Sequence, residues 1–126
     1  MDTRAKGKIG ENIACRFLEN GGFMILERNY QKKWGEIDIV AEKSNKLHFF
    51  EVKSITVESL STLDETYRPE ENVHGLKIRN IRRTVETYLE EKGKGMGQEF
   101  GFHVICVFKD IKTRRARVRW IRDLIL

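Results

Sequence analysis

Between Trp34 and Lys53 the chain runs WGEIDIVAEKSNKLHFFEVK, and its period-two patterning leaves few options for how it folds. Successive side chains of a strand point to opposite faces of a sheet. The stretch therefore reads as two strands joined by a short polar turn. On the first strand Glu36, Asp38 and Val40 share a face; on the second, Leu47, Phe49, Glu51 and Lys53 share one, and His48, Phe50 and Val52 look the other way. A slip of one residue sends each pattern to the wrong side, so register decides where the charges go. With Asp38 opposite Glu51, Val40 lies opposite Phe49 and Glu36 opposite Lys53. The reverse face then becomes Ile37, Ile39, Ala41, His48, Phe50 and Val52. With Asp38 opposite Phe50 instead, an aspartate is pressed unpaired into that apolar layer at prohibitive cost. The first register is the expected one.

Two carboxylates placed cross-strand repel by about 4 kcal/mol at about 4 Å and an effective dielectric of about 20. Such a pair persists by sharing a proton, by facing open water or by holding a cation. Carboxylate oxygens, with a backbone carbonyl such as that of Val52 nearby, suit Mg2+ or Mn2+. Lys53, on the face of Glu51, is a point positive charge suited to a phosphate oxygen or to orienting a water.

At 126 residues the chain is long enough for one core and too short for two, so residues 1–126 are expected to form a single domain. No apolar run approaches the roughly 18 residues of a membrane span, and MDTRAKGKIGEN carries no signal-peptide core. The expectation is a cytoplasmic protein without a membrane partner. Cys15 and Cys106 lie far apart with no histidine spacing for zinc, and read as reduced, buried thiols.

From Thr3 to Asn20 the residues Ile9, Ile13, Ala14, Phe17 and Leu18 recur at helical spacing, and Asn20-Gly21-Gly22 supplies a stop. Glu11 falls just beside that apolar stripe. Gly22 to Tyr30 reads as a strand covered on both faces, with Arg28, Asn29, Gln31, Lys32 and Lys33 forming a basic turn before Trp34. Trp34 suits a lid on the core, with stacking on a base as the alternative. Residues 54–73, SITVESLSTLDETYRPEENV, have no clear period and read as a loop that closes over substrate. Pro69 followed by Glu70 and Glu71 favours a helix start.

The helix that follows, about His74 to Lys92, is expected to bury Ile78, Ile81, Val85 and either Tyr88 or Leu89. Its other side carries Lys77, Arg79, Arg82 and Arg83, with no acid from Asn72 through Val85. A solvated face normally mixes signs, so a one-sign run points to phosphate contact. The glycine-rich residues 92–97 form a connector into Phe100–Phe108, an apolar run expected in the middle of the sheet and parallel to the strand before the crossover helix. In the last strand Ala116, Val118 and Trp120 point inward and Arg117 and Arg119 outward, with no acid among positions 112–122. Outward charges also protect edge strands, which weighs equally against phosphate binding there.

The ordered motifs Gly10-Glu11-x-x-Ala14, Gly35-Glu36-Ile37-Asp38, Phe50-Glu51-Val52-Lys53 and Pro69-Glu70-Glu71-x-Val73 resemble the bacterial YraN-like family nearly end to end. Asp38 with Glu51-Val52-Lys53 also resembles the D…ExK signature of restriction-endonuclease-like nucleases. The resemblance implies an α/β fold with a restriction-endonuclease-like core: a helix, a three-stranded antiparallel meander, a crossover helix and further strands in a mixed central sheet. It implies an endonuclease related to archaeal Holliday-junction resolvases, with Glu11 assisting the metal site, and a homodimer engaging two strands or a branched junction. The chain departs from the family pattern at His103, where an aspartate is usual, and at Ile55, where a basic residue is common.

Two functions follow as expectations. The first is a Mg2+- or Mn2+-dependent DNA endonuclease in which Asp38 and Glu51 hold the metal, Glu11 holds an outer water, Glu36 tunes the site and Lys53 neutralises the phosphate. The second is a non-catalytic module that grips DNA through Lys77, Arg79, Arg82, Arg83, Arg117 and Arg119 with little sequence readout.

Overall fold

The computed structural model describes residues 3–60, 76–94 and 97–126. Within them the order is α1 (Thr3–Asn20), β1 (Met24–Lys32), β2 (Gly35–Lys43), β3 (Lys46–Val57), α2 (Ile78–Glu91), β4 (Phe100–Asp110) and β5 (Ala116–Ile121). The strands form one mixed sheet in the order β1-β2-β3-β4-β5. The meander β1-β2-β3 is antiparallel, β4 runs parallel to β3 after the crossover through α2, and β5 returns antiparallel. One core lies on each face of the sheet. Val40, Leu47, Phe49, Phe102 and Val104 pack with Ile81, Val85, Tyr88 and Leu89 of α2; Ile39, Ala41, Phe50, Ile105 and Val107 pack with Ala14, Cys15 and Leu18 of α1.

The register of the central hairpin is the expected one, with Val40 opposite Phe49 and Ile39 opposite Phe50. Its turn is Ser44-Asn45, both at positive φ of 53° and 63°, a two-residue connection whose twist matches that of the strands. One face assignment is corrected. Ile37 joins the α2-side core with Tyr30, whereas Ile39 packs on the α1 side. The alternation is thus interrupted at Asp38, where the paired ladder with β3 also ends.

Other expectations also shift. β1 is an edge strand, and Met24 and Leu26 are exposed at 58% and 40%, so it is not covered on both faces. Arg28, Asn29, Gln31 and Lys32 belong to β1 and not to a turn. β3 extends to Val57 because Ile55 and Val57 reach the α2-side core, so the loop does not begin at Ser54. Its first residues are anchored where Leu60 N donates to Asp110 Oδ2 at 2.9 Å. Residues 61–75, which include Pro69, Glu70, Glu71 and His74, lie outside the described residues, as do Gly95 and Met96. In α2 both Tyr88 and Leu89 are buried, Ile78 is not, and Thr84 is buried without having been expected. Ala116 is exposed, while Val118 and Trp120 pack inward as expected. Cys15 and Cys106 are in no disulfide and lie buried on opposite faces of the sheet.

Candidate active site

Asp38, Glu51 and Lys53 line one open depression of about 460 Å³ between the start of β2 and the first turns of α2, together with Trp34, Lys77 and Asn80. The local fold explains the convergence. Beyond Ile39 and Phe50 the β2–β3 ladder stops, and Val52 N donates to Asp38 Oδ2 at 2.7 Å, so a side chain takes the place of a main-chain acceptor. That bond pins Asp38 between the two strands, where it also lines a larger depression on the α1 side.

Two close approaches bring the helices to this point. A Cβ at Gly35 would lie 2.5 Å from Thr84 Oγ1 and 3.1 Å from Asn80 O, so only glycine lets α2 pack onto the start of β2. A Cβ at Gly10 would run into the Ser54 side chain, so glycine likewise lets α1 approach β3 and sets Glu11 beside the site. Both glycines stand in the motifs singled out above, next to the acids they help position.

Burial, and then the charge of Asp38, push the Glu51 carboxyl up to about 8, against the pull of Lys53. Burial, and then the charges of Glu36 and Glu11, push Asp38 up to about 6, against the Val52 N–H. The two carboxyls are hydrogen-bonded to each other and behave as one pair that shares a proton near neutrality. Lys53 Nζ stands 4.0 Å from Glu51 Oε1 and its side chain is 37% exposed, so the ammonium remains open to a ligand.

The remaining sequence candidates separate. Glu36 is exposed and lines the depressions on both sides of Asp38, but no ion pair joins it to Lys53 among the described residues. Glu11 is buried and already held, accepting from Arg28 Nε at 2.9 Å and Asn29 Nδ2 at 3.0 Å. Among the described residues no three His, Cys, Asp or Glu side chains converge to hold a metal, so Asp38 and Glu51 form a two-carboxylate donor set without Glu11. Two hard, mutually repelling oxygen donors that need a counter-charge fit Mg2+ or Mn2+. Lys77 lines the depression, Arg83 stacks on Trp34 with its guanidinium 4.0 Å from the ring centroid, and Arg79 is exposed. Arg82 is engaged with Glu86 at 3.1 Å. Arg117 is exposed and Arg119 half-buried over the Phe108 ring.

The sequence reading missed Arg28 and Asn29 as partners of Glu11, and Asn80 as a wall of the depression. Arg28 and Asn29 sit beside a register shift in β1, between Ile25 and Glu27, which has no sequence signature. His103, the departure from the family pattern, is 2% exposed and bonded to His48, away from this site.

A family model described as "Uncharacterised protein family UPF0102" matches residues 10–108. The chain is similar to a UPF0102 protein of Campylobacter lari, 41% identical over 101 residues that cover 80% of this chain and 81% of the relative. It is similar to one of Moorella thermoacetica, 37% identical over 122 residues that cover 97% and 96%. One from Sulfurihydrogenibium is 37% identical over 107 residues, covering 85% and 87%. No helix among the described residues is long and apolar enough to cross a membrane.

Proposed function

The chain belongs to the UPF0102 family, the YraN-like proteins its motifs resemble, and from that premise we propose that it is a metal-dependent endonuclease on a restriction-endonuclease-like core, acting on DNA. The observation that carries this reading is the half-buried Asp38–Glu51 pair opening onto the same depression as Lys53. A solvated surface network leaves carboxyls near their ordinary range, whereas these two are held in a state that a divalent cation relieves.

In this reading Asp38 and Glu51 hold Mg2+ or Mn2+, which when bound supplies Lewis-acid activation of water and neutralises charge on the phosphodiester. The Val52 N–H fixes one oxygen of Asp38 and leaves the other for the ion. Lys53 donates to a phosphate oxygen as charge builds there. Lys77, Arg79 and Arg83 on α2, with Arg117 and Arg119 on β5, hold flanking phosphates without reading bases. Glu11 acts through Arg28 and Asn29, as a brace of the site and not as a ligand.

Incubation with duplex, single-stranded and four-way-junction DNA in Mg2+ or Mn2+ tests the reading. Cleavage that disappears in Asp38→Asn and Lys53→Ala is the expected result; binding without cleavage of any substrate overturns it. The engagement of Glu11 by Arg28 and Asn29, which leaves two acidic ligands, favours the second reading, a non-catalytic DNA-binding module on the same fold.

A further inference from the structure

At the opposite end of the sheet, on the α1 side, lies a second depression of about 680 Å³. Five residue steps along β2 separate Lys43 on its rim from Asp38, about 17 Å at roughly 3.3 Å per step. Its walls are aromatic and its rim is basic.

Phe17 and Trp120 form one wall, ring centroids 6.2 Å apart and edge-on. Arg122 lies on the Trp120 ring with its guanidinium 3.9 Å from the centroid, extending that wall as a charged plane. Lys43 and Lys46 face each other directly across the hairpin end. Like charges in directly opposed positions destabilise a hairpin, and Lys43, which donates to Gly21 O at 2.6 Å, has no carboxylate to neutralise it among the described ion pairs. Lys46 reaches Glu99 at 3.4 Å, but the Glu99 side chain is 85% exposed and readily exchanged for another anion. Against three cations the rim carries one carboxylate, Asp123.

The floor holds an ordered pair of imidazoles. Asp123 N donates to His103 Nδ1 at 3.0 Å, so that nitrogen carries no proton. His103 therefore bears its hydrogen on Nε2 and donates to His48 Nδ1 at 2.9 Å. His48 must then carry its own hydrogen on Nε2, and the described residues offer that N–H no acceptor. The pair exists because residue 101 is glycine: a Cβ there would lie 2.7 Å from His103 Nε2 and 2.9 Å from His48 Nδ1.

We propose that this depression is a second nucleic-acid site that takes one unpaired nucleotide of a single strand, its base against the Phe17–Trp120 wall and its phosphate against Lys43, Lys46 and Arg122. Aromatic walls accept any base because every base has a π face, and stacked arginine adds to them. The His48 Nε2–H supplies one donor to a base or phosphate oxygen. A strand, more than a free nucleotide, suits the site because its cations come from two places on the α1 side, Lys43 and Lys46 at the β2–β3 hairpin end and Arg122 after β5, which suits phosphates on either side of one base. The inference does not require cleavage at Asp38.

The chain has two tryptophans, so the indole N–H resonances of Trp34 and Trp120 report on the two sites separately in 15N-labelled protein. Titration with a ten-residue oligothymidylate at low salt is expected to move the Trp120 indole and Gly101 amide signals, in wild type and equally in Asp38→Asn. Lys46→Glu, which turns the opposed lysines into an attractive pair and so leaves folding intact, is expected to weaken that response at least fivefold, and Arg122→Gln likewise. Unmoved Trp120 and Gly101 signals at saturation overturn the proposal, as does affinity within twofold of wild type in both variants. Thymidine monophosphate is expected to bind at least tenfold more weakly; equal affinity overturns the strand and assigns the pocket to a free nucleotide. Loss of cleavage with retention of the Trp120 response separates failure of the active-site reading from failure of this one.

Discussion

Lys53 and Arg119 stand in one transverse row of the sheet, each paired with Cys106 of β4 from opposite sides. Two strand spacings separate them, about 10 Å, and the row lies on the face that α2 covers further along. Lys53 borders the Asp38–Glu51 pair, while Arg119 marks the far edge of the same surface.

The two cations should therefore divide their effects. Lys53→Ala is expected to lower kcat for DNA cleavage by about 10²–10³-fold. Arg119→Ala should leave kcat within about threefold and reduce the slope of log affinity against log salt by about 1. Single-turnover cleavage and salt-series binding measure the two; an equal loss of kcat in both variants would contradict the division.

The carboxyl pair predicts how stability responds to pH and metal. A carboxyl whose folded pKa is raised contributes stability below its unfolded pKa and loses it as pH rises through the folded value. With Asp38 at about 6 and Glu51 at about 8, metal-free Tm should fall between pH 5 and pH 8.5. Glu51→Gln should flatten that decline, and Mg2+ should raise Tm more at pH 8 than at pH 5. Thermal melts with and without chelator test this.

His103 predicts the reverse slope. Burial, and then the neighbouring His48, lower it to about 4, so its contribution is present above the ordinary value of 6.5 and is lost as pH falls toward 4. Its Nδ1 accepts the Asp123 N–H, which a proton there would break. In melts between pH 4 and pH 7, His103→Gln should show a shallower loss at the acid end than wild type.

Gly35→Ala should destabilise by about 1–3 kcal/mol, because its Cβ meets Thr84 Oγ1 and Asn80 O. Adding Thr84→Ala should recover part of the loss and not all, since the Asn80 carbonyl remains. Denaturant unfolding of the three variants decides it.

Glu11 separates a brace from a ligand. Glu11→Ala removes the acceptor shared by Arg28 and Asn29 and should lower Tm, with less than a tenfold change in cleavage per folded molecule. Unchanged Tm with a loss above a hundredfold would return Glu11 to the metal.

Much of this fold is legible in the sequence. Strand alternation and the cost of burying Asp38 unpaired were enough to choose the register, because one face of the hairpin had to be apolar. The crossover spacing was enough to make β4 parallel to β3. The apolar first residues of β1 misled, since hydrophobicity does not distinguish an edge strand with exposed Met24 and Leu26 from a covered one. Glu11 reads as available in the sequence because Arg28 and Asn29 read as a turn, whereas both lie in β1 and bond to it.

What the amino-acid order determines here is local: two strands of period two, two amphipathic helices, and which acids and lysine share a strand face. The tertiary structure decides what those groups meet. The break in alternation at Asp38, the Glu11–Arg28 clamp and the His48–His103 pair all join residues far apart in the chain, through contacts set by how closely glycine lets backbones and rings approach. Charge can be counted along a sequence, but whether a carboxylate is spent on an arginine or left for a ligand depends on packing in space.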